Sequence, residues 1–161
     1  MNLVAAVDRR GGIGHKGSLL VSIPLDRQRF RRMTTGKVVV MGRKTLESLP
    51  QKQPLGGRVN VVMSRKPDYF CRGAFTAHSV EEVLEYLKDY DTNDIFIMGG
   101  EEIYRQFLPF SDTAYLTVID YQYDADAFFP KLSEEEWELT EKSDEQTYFD
   151  LIYHFCTYQR K

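Results

Sequence analysis

Three short segments carry residues that suit a phosphate group. Gly42-Arg43-Lys44-Thr45 has glycine, basic and hydroxyl residues, Ser64-Arg65-Lys66 has hydroxyl and basic residues, and Gly99-Gly100 has glycine alone. At the start of a helix, free backbone N–H groups and the helix dipole favour an anion, and glycine lets a phosphate approach the backbone. Each segment alone is more typical of a solvated turn than of a phosphate site. The arrangement of these segments departs from the G-x-G-x-x-G fingerprint, and the P-loop pattern G-x-x-x-x-G-K-S/T is not present. The three together favour a dinucleotide, held in some other way.

Asp26 is a second candidate functional residue, because its carboxylate could bind a ligand. It follows Pro24 by two residues, where the first turn of a helix is expected. An acid there complements the helix dipole, which is the simpler explanation. A half-buried carboxylate could instead accept two parallel hydrogen bonds from an amidine-like heterocycle. Position alone leaves both interpretations open.

The charge is distributed unevenly along the chain. Residues 1–66 carry fourteen Lys and Arg against three acids, a balance of +11, whereas the rest carries seven against twenty-one, a balance of −14. A basic half within a protein of pI about 5.7 favours a positive cleft for a small anion over a nucleic-acid surface. Pairing of opposite charges across the fold is the alternative.

Length and composition limit the class of protein. With 161 residues, 42% of them hydrophobic, we expect one domain, 1–161. No apolar run could span a bilayer and the start has no basic leader, so we expect a cytoplasmic protein without a membrane partner. The scattered histidines, His15, His78 and His154, predict no metal site, and Cys71 and Cys156 are expected as thiols.

Elements that could position these residues alternate along the chain. Apolar runs predict strands over 2–7, 37–41, 58–63, 74–77, 95–98, 114–121, 137–142 and 147–159. Helical patterns cover 24–34, a stretch from 43 that ends before Pro50, 79–89 with a capping box at its start, and the residues after Gly100. Residues 8–22 are predicted as a loop.

This order predicts an α/β fold: a single three-layer domain with a mostly parallel central sheet, an antiparallel C-terminal hairpin at the edge, and helices on both faces. Ligands bind such sheets at the carboxyl ends of the strands. The loops beginning at Asp8, Gly42, Ser64 and Gly99 should therefore share one rim.

Eight motifs in register extend the interpretation. The motifs are Val4-Ala5-Ala6-Val7-Asp8, Ile13-Gly14, Ile23-Pro24-Leu25-Asp26, Met41-Gly42-Arg43-Lys44-Thr45, Gly57-Arg58, Met98-Gly99-Gly100, Ile103-Tyr104 and Leu116-Thr117-Val118-Ile119-Asp120. With these motifs the sequence resembles bacterial dihydrofolate reductases over residues 2–159, including Phe128-Phe129-Pro130.

The resemblance implies a substrate site for dihydrofolate. Asp26 would bind the pterin N3 and 2-amino group, Thr117 would support it through a water, and Arg58 would pair with the α-carboxylate of the glutamyl tail. The other substrate-binding residues would be Val4, Ala5, Leu19, Val21, Phe30, Leu49, Leu55 and Met98.

It also implies NADPH as cofactor. Arg43, Lys44 and Thr45, with Gly99 and Gly100, would hold the pyrophosphate, and Ser64 with Arg65 the 2′-phosphate. The Gly99-Gly100 peptide bond would be cis. The remaining cofactor-binding residues would be Ala6, Ile13, Gly14, Gly42, His78, Glu101 and Ile103.

The implied reaction is hydride transfer from nicotinamide C4 to pterin C6, with N5 protonated first through solvent. Asp26, Tyr104 and Thr117 would be catalytic: Asp26 acts electrostatically, and Tyr104 helps to stabilise developing positive charge. The segment 11–22 would be a lid.

Three sites depart from the family pattern: Leu20-Val21, Leu46, which replaces another family Trp, and Glu101. Leu20-Val21 stands where the family has Pro-Trp, and valine cannot donate the indole hydrogen bond to a pterin-bound water. This favours weak binding of diaminopyrimidine antifolates such as trimethoprim. Glu101 replaces a small residue and would repel phosphate if it pointed inward.

The departure at Val21 leaves other functions open. The chain could reduce a related pterin or pyrimidine, as the reductase of riboflavin synthesis does, or be a non-catalytic nucleotide-binding module. Retention of both Asp26 and Arg58 favours the folate reaction. We expect a monomer that binds dihydrofolate, NADPH and antifolate inhibitors, and no nucleic acid.

Overall fold

Nine strands form the main sheet and three short ones a second sheet in the computed structural model, which describes residues 1–161. The strands are β1 (Asn2–Val7), β2 (Gly12–His15), β3 (Ser18–Leu19), β4 (Val38–Gly42), β5 (Val59–Met63), β6 (Phe75–Ala77), β7 (Ile95–Gly99), β8 (Thr113–Ile119), β9 (Ala127–Phe128), β10 (Trp137–Lys142), β11 (Gln146–Tyr148) and β12 (Leu151–Arg160). The helices are α1 (Pro24–Thr34), α2 (Arg43–Glu47), α3 (Val80–Tyr86) and α4 (Glu101–Phe107), and 3₁₀ turns cover Pro50–Lys52, Thr92–Asp94 and Leu108–Phe110.

The central strands are apolar on both sides because each side is covered by helices. In β4, Val38 and Val40 face one cluster, whereas Val39 and Met41 face the other. Side chains alternate between faces along a strand, so one continuous apolar run supplies both clusters. The first cluster packs against α3 and α4, and the second against α1 and α2. The predicted three-layer arrangement is confirmed.

The strand order brings the predicted loops together. The main sheet runs β10-β12-β8-β1-β7-β4-β5-β6, and every neighbouring pair from β8 to β6 is parallel. The carboxyl ends of β1, β4, β5 and β7 therefore lie along one rim, with the loops at Asp8, Gly42, Ser64 and Gly99. Strands β10 and β11 pair antiparallel with β12, which itself runs antiparallel to β8.

The segment 8–22, predicted as a loop, contains two short strands. In the second sheet, β2 pairs with both β3 and β9, in the order β3-β2-β9. The prediction failed because strands of two to four residues rich in glycine carry no apolar alternation. The pairing of β2 is completed by β9, which lies more than 110 residues away along the chain.

Asp8 fixes the base of this second sheet. Its carboxylate is almost fully buried and accepts hydrogen bonds from three backbone N–H groups: those of Arg10 at 2.9 Å, Gly12 at 2.7 Å and Tyr123 at 3.0 Å. Gly12 lies so close that an added Cβ would be 2.6 Å from the Cβ of Ala125. Asp8 therefore joins the start of the predicted lid to the loop before β9.

Other boundaries differ in detail. The predicted strand 147–159 is two strands, because Phe149 has a φ of +53° in a hairpin turn. Helix α3 ends at Tyr86 rather than at 89, where the chain enters a tighter turn with Tyr90 N donating to the Leu87 carbonyl. Its Ser79 cap is confirmed, although Glu82 accepts from the His78 N–H instead of closing the capping box on Ser79.

A methyl group at position 12 should loosen the second sheet. We expect Gly12→Ala to lower the free energy of unfolding by about 1–3 kcal/mol through overpacking against Ala125 and Asp8. Urea unfolding and amide exchange over residues 12–15 measure the effect. Gly56→Ala is the control, because a Cβ there meets nothing within 4 Å and φ is not positive. Equal stability of the two variants would contradict the described role of Gly12.

Candidate active site

Asp26 lies in the first turn of α1 against the central sheet. Pro24 begins the helix and Asp26 complements its amino end. The hydroxyl of Thr117, a buried residue of β8, donates to Asp26 Oδ1 at 2.5 Å. The resemblance implied a bridging water between the two side chains; the structure has a direct hydrogen bond, because α1 packs close enough to β8.

The electrostatic setting of Asp26 combines opposing effects. Burial raises the pKa of its carboxyl, while the Thr117 hydrogen bond and the charges of Arg29 and Arg27 act in the opposite direction. The carboxylate is thus partly desolvated and still supported as an anion. A carboxylate in this state interacts strongly with a ligand that brings its own N–H donors.

Most predicted wall residues gather on the α1 side of the sheet. They are partly buried and border one cluster, formed by Val39, Met41, Leu46, Val62 and Phe96. The gathered residues are Val4, Phe30, Leu49, Leu55 and Met98.

Three predicted wall residues lie elsewhere. Ala5 packs against the α3 and α4 side, since the strand pleat turns it away from Val4; Ala6 shares the side of Val4. Leu19 is 75% exposed on β3. Val21 packs with Ala6 around the small cluster of Ile23, Ile119 and Tyr153.

Arg58 is held at the other end of α1. Its Nη1 donates to Thr34 Oγ1 at 3.1 Å and its Nε to the carbonyl of Gly56 at 2.9 Å. Burial, then the like charge of Arg31, lower the pKa of Arg58. Two neighbouring cations with no carboxylate partner favour an anionic ligand group at this point.

The glycine turns after β4 and β7 lie against each other. A Cβ on Gly42 would be 3.1 Å from the Ile103 side chain, and one on Gly100 would be 3.9 Å from Thr45 Oγ1. The Gly99-Gly100 peptide bond is cis, as predicted. Gly99 has a φ of +104°, and a Cβ there would be 2.6 Å from the Tyr104 ring. Only glycine fits at position 99, whereas a side chain at position 42 would require Ile103 to shift and the distance at Gly100 is an ordinary contact.

Tyr104 packs against the glycine turn after β7 and is 4% exposed. Its hydroxyl lies 2.6 Å from the carbonyl oxygen of Val4 and 2.7 Å from that of Met98, so it can donate to either. Burial strongly raises the pKa of the phenol, with the Asp26 charge adding to the effect. The hydroxyl therefore stays protonated and connects β1 to β7.

The predicted phosphate-binding side chains form contacts of their own. Arg43 pairs with Glu47, one turn on in α2, and the largely exposed Arg65 pairs with Glu102. Ser64 is buried at the end of β5, and His78 Nδ1 lies 2.9 Å from its carbonyl oxygen. The remaining predicted cofactor residues Ile13, Gly14 and Ile103 lie on β2 and α4, next to the same rim.

The Glu101 carboxylate, which would repel phosphate if it pointed inward, is instead in contact with β9 and α4. Its Oε1 accepts from the backbone N–H of Phe128 at 2.6 Å, and its Oε2 lies 3.5 Å from Arg105. Phe128 belongs to β9, so Glu101 connects the turn after β7 to the second sheet. This contact could not be predicted from the sequence, because the partner is a backbone group on a distant segment. Asp8 was missed as well, although an Asp before Gly-Gly is a signal for such backbone capping.

The described fold and site define a nucleotide-binding type of α/β protein, with an anionic pocket at one end of α1 and glycine turns at the rim. The chain belongs to the dihydrofolate reductase family, whose model matches residues 1–160. It is 39% identical over 160 residues to the dihydrofolate reductase of Haemophilus influenzae, covering 97% of both chains. It is 30% identical over 165 residues to that of Bacillus subtilis, covering 100% of this chain and 95% of the relative.

A solved structure shares the fold. The dihydrofolate reductase from Enterococcus faecalis, complexed with NADP(H) and RAB-propyl, superimposes with a TM-score of 0.89 at 30% identity, covering 99% of this chain and 95% of that one. No helix is long and apolar enough to cross a membrane, and no group of three or more potential ligand side chains is placed to hold a metal ion.

The Glu101 contact can be tested without a ligand. We expect Glu101→Ala to speed amide exchange at Phe128 by about 10–150-fold, since a hydrogen bond to a charged group contributes about 1.5–3 kcal/mol. Glu101→Gln keeps an acceptor and should show a smaller increase. Glu102→Ala is the control, because Glu102 contacts only Arg65. Unchanged exchange at Phe128 in Glu101→Ala would contradict the contact.

Proposed function

We propose that this protein reduces 7,8-dihydrofolate to 5,6,7,8-tetrahydrofolate, with NADPH as the hydride donor. The observation that carries the proposal is the half-buried carboxylate of Asp26, which accepts a hydrogen bond from Thr117 and is bordered by apolar side chains. It lies at the carboxyl rim of the sheet in a chain of the dihydrofolate reductase family. A carboxylate so placed matches a flat heterocycle that presents two adjacent N–H donors.

The substrate is held at two ends of α1. Asp26 accepts hydrogen bonds from the pterin N3 and 2-amino group, and Val4, Phe30 and Leu49 pack against the ring system. At the last turn, Arg58 binds the α-carboxylate of the glutamyl tail, with its guanidinium oriented by Thr34 and Gly56. The proposed pocket also takes antifolate inhibitors that present the same pair of donors.

The rim residues fit the cofactor. NADPH supplies the hydride, and this chain binds and orients it. Gly42 and Gly99 let the turns after β4 and β7 pack closely on Ile103 and Tyr104, and a Cβ on Gly100 would come no closer than 3.9 Å to Thr45 Oγ1, so a pyrophosphate can approach the backbone of these turns. Arg43, Lys44 and Thr45 bind that group, and Ser64 with Arg65 binds the 2′-phosphate. Binding requires Arg43 and Arg65 to exchange their present partners, Glu47 and Glu102, for phosphate oxygens.

Tyr104 and the second sheet complete the site. Because the Tyr104 hydroxyl gives its proton to a backbone carbonyl, the phenolic oxygen keeps its lone pairs for a developing positive charge nearby. The β2–β3 hairpin acts as the lid that excludes water. It is held on the loop before β9 by Asp126, whose carboxylate accepts from the Lys16 N–H at 2.9 Å and whose N–H donates to the Gly14 carbonyl at 2.9 Å.

The remaining features of the proposal concern the whole molecule. Residues 1–161 act as one catalytic domain, a monomer in the cytoplasm, without nucleic-acid or membrane partners. The acidic overall charge supports the exclusion of nucleic acid, since the basic side chains are gathered in the half that builds the cleft.

Replacing the carboxylate of Asp26 should separate substrate from cofactor binding. We expect Asp26→Asn to lower kcat/KM for dihydrofolate near neutral pH by about 10²–10³-fold, since an amide cannot accept two hydrogen bonds as an anion does. NADPH oxidation measures turnover, and fluorescence titration measures the NADPH Kd, which should stay within about threefold. Comparable loss of NADPH affinity would contradict the assignment. Tight NADPH binding by the unmodified protein without dihydrofolate turnover would favour another reduced pterin or pyrimidine.

Val21 stands where the family has a tryptophan. Valine has no donor for a water beside the pterin, and here it packs into the Ile23 cluster. We expect Val21→Trp to bind trimethoprim more tightly by about tenfold, the value of one hydrogen bond plus added contact. Inhibitor titration at fixed NADPH measures this, with Leu139→Trp on the half-exposed side of β10 as a control that adds the same side chain outside the site. Equal affinity of Val21→Trp and the parent protein would exclude the idea.

A further inference from the structure

Arg29 is a half-buried cation without a hydrogen-bonded partner or ion pair beside the site. It lies one helical turn after Asp26 on α1. Its guanidinium carbon is 4.5 Å from the centroid of the Phe155 ring and 5.9 Å from that of Tyr115. Both distances are typical of cation–π contacts, which hold a planar guanidinium in one orientation.

The register of the sheet places Arg29 next to the Asp26 carboxylate. Thr117 on β8 is paired directly with Phe155 on β12. Asp26 contacts the first of these two residues and Arg29 contacts the second. Side chains three apart on a helix lie on the same face. The carboxylate and the guanidinium therefore rest side by side on one pair of cross-strand neighbours.

We propose that Arg29 is a positioning residue for the reductase reaction: its guanidinium, fixed on Phe155, keeps the adjacent Asp26 carboxylate ionised and directed at Thr117. This inference rests on the proposed function for its catalytic meaning. The Asp26 carboxylate loses hydration when α1 packs on the sheet, and a fixed cation one turn away offsets that loss without occupying the oxygens that the ligand needs.

The surrounding groups limit the size of the effect. Asp26 also faces Arg27 from its own helix, and Thr117, Tyr104 and Tyr153 from the sheet and α4. Arg29 faces Tyr115 and Cys156 from β8 and β12, and Glu141 from β10. A groove of about 560 Å³ opens beside it, lined by Thr140, Glu141, Lys142, Ser143, Phe155 and Thr157. Solvent in this groove screens the guanidinium on the side away from Asp26.

The test is a titration of the Asp26 carboxyl carbon by ¹³C NMR in the full chain, assigned by its absence in Asp26→Asn. We expect Arg29→Met, which keeps an unbranched side chain on Phe155, to raise the midpoint by about 0.5–1 pH unit. Arg29→Lys keeps the charge and should retain more than half of the effect. Arg32→Met removes an exposed charge of the same helix and should leave the midpoint unchanged. Arg29→Gln replaces the methionine variant if that variant does not fold.

Kinetics then connect the titration to function. A raised midpoint means that the anion is lost at higher pH, so KM for dihydrofolate in Arg29→Met should rise more steeply as the pH falls, and approach the parent value at high pH. A purely structural role would change KM equally at all pH values. An unmoved Asp26 midpoint in Arg29→Met, or an equal movement in Arg32→Met, would overturn the proposal. Absence of dihydrofolate turnover in the parent protein overturns the proposed function instead, while the titration still decides whether Arg29 acts on Asp26.

Discussion

The hydrogen bond from Thr117 to Asp26 allows a charged carboxylate to be partly buried between α1 and the sheet. A carboxylate between a helix and a sheet loses hydration, and it remains compatible with the fold only where other groups replace that hydration. Thr117 supplies a donor from the sheet, while Arg27 and Arg29 supply positive charge from α1. The oxygens that this support leaves free are the ones available to a ligand. The position of α1 against β8 therefore decides both the stability of this region and its recognition chemistry.

The parallel sheet explains why the remaining groups meet. Because β1, β4, β5, β7 and β8 run in the same direction, segments that are far apart in the chain end along the same edge. Fourteen of the basic residues belong to the first 66 residues, which supply most of that edge. The acids come mainly from the later segments, and a few pair with the basic half: Glu102 contacts Arg65, and Asp94 contacts Lys37. The excess of positive charge is thus moderated locally before any phosphate arrives.

The sequence was sufficient for the long elements and for the rim. Continuous apolar runs such as 38–41 and 95–98 identify buried strands, and Pro24 and Ser79 mark helix starts, because these signals are local. The second sheet was not predictable, since its strands are short and β2 pairs with the distant β9 as well as with β3. The same limit applies within the site. Asp26 was identified as a candidate, but its direct contact with Thr117, and the stacking of Arg29 on Phe155, depend on how close α1 lies to the sheet. The pleat of β1 likewise decides that Ala6, rather than Ala5, shares a side with Val4.

The length of α1 has a consequence for the size of ligand that this chain can accommodate. Asp26 stands in its first turn, and Thr34, which orients Arg58, stands in its last. Eight residues of helix separate the two by roughly 12 Å, so the carboxylate and the guanidinium have a nearly fixed spacing. Inserting one residue would lengthen this span by about 1.5 Å and rotate one end by about 100° relative to the other. Evolution of a reductase for shorter or longer molecules on this framework is therefore easier by changing the loops that flank α1 than by changing the helix itself.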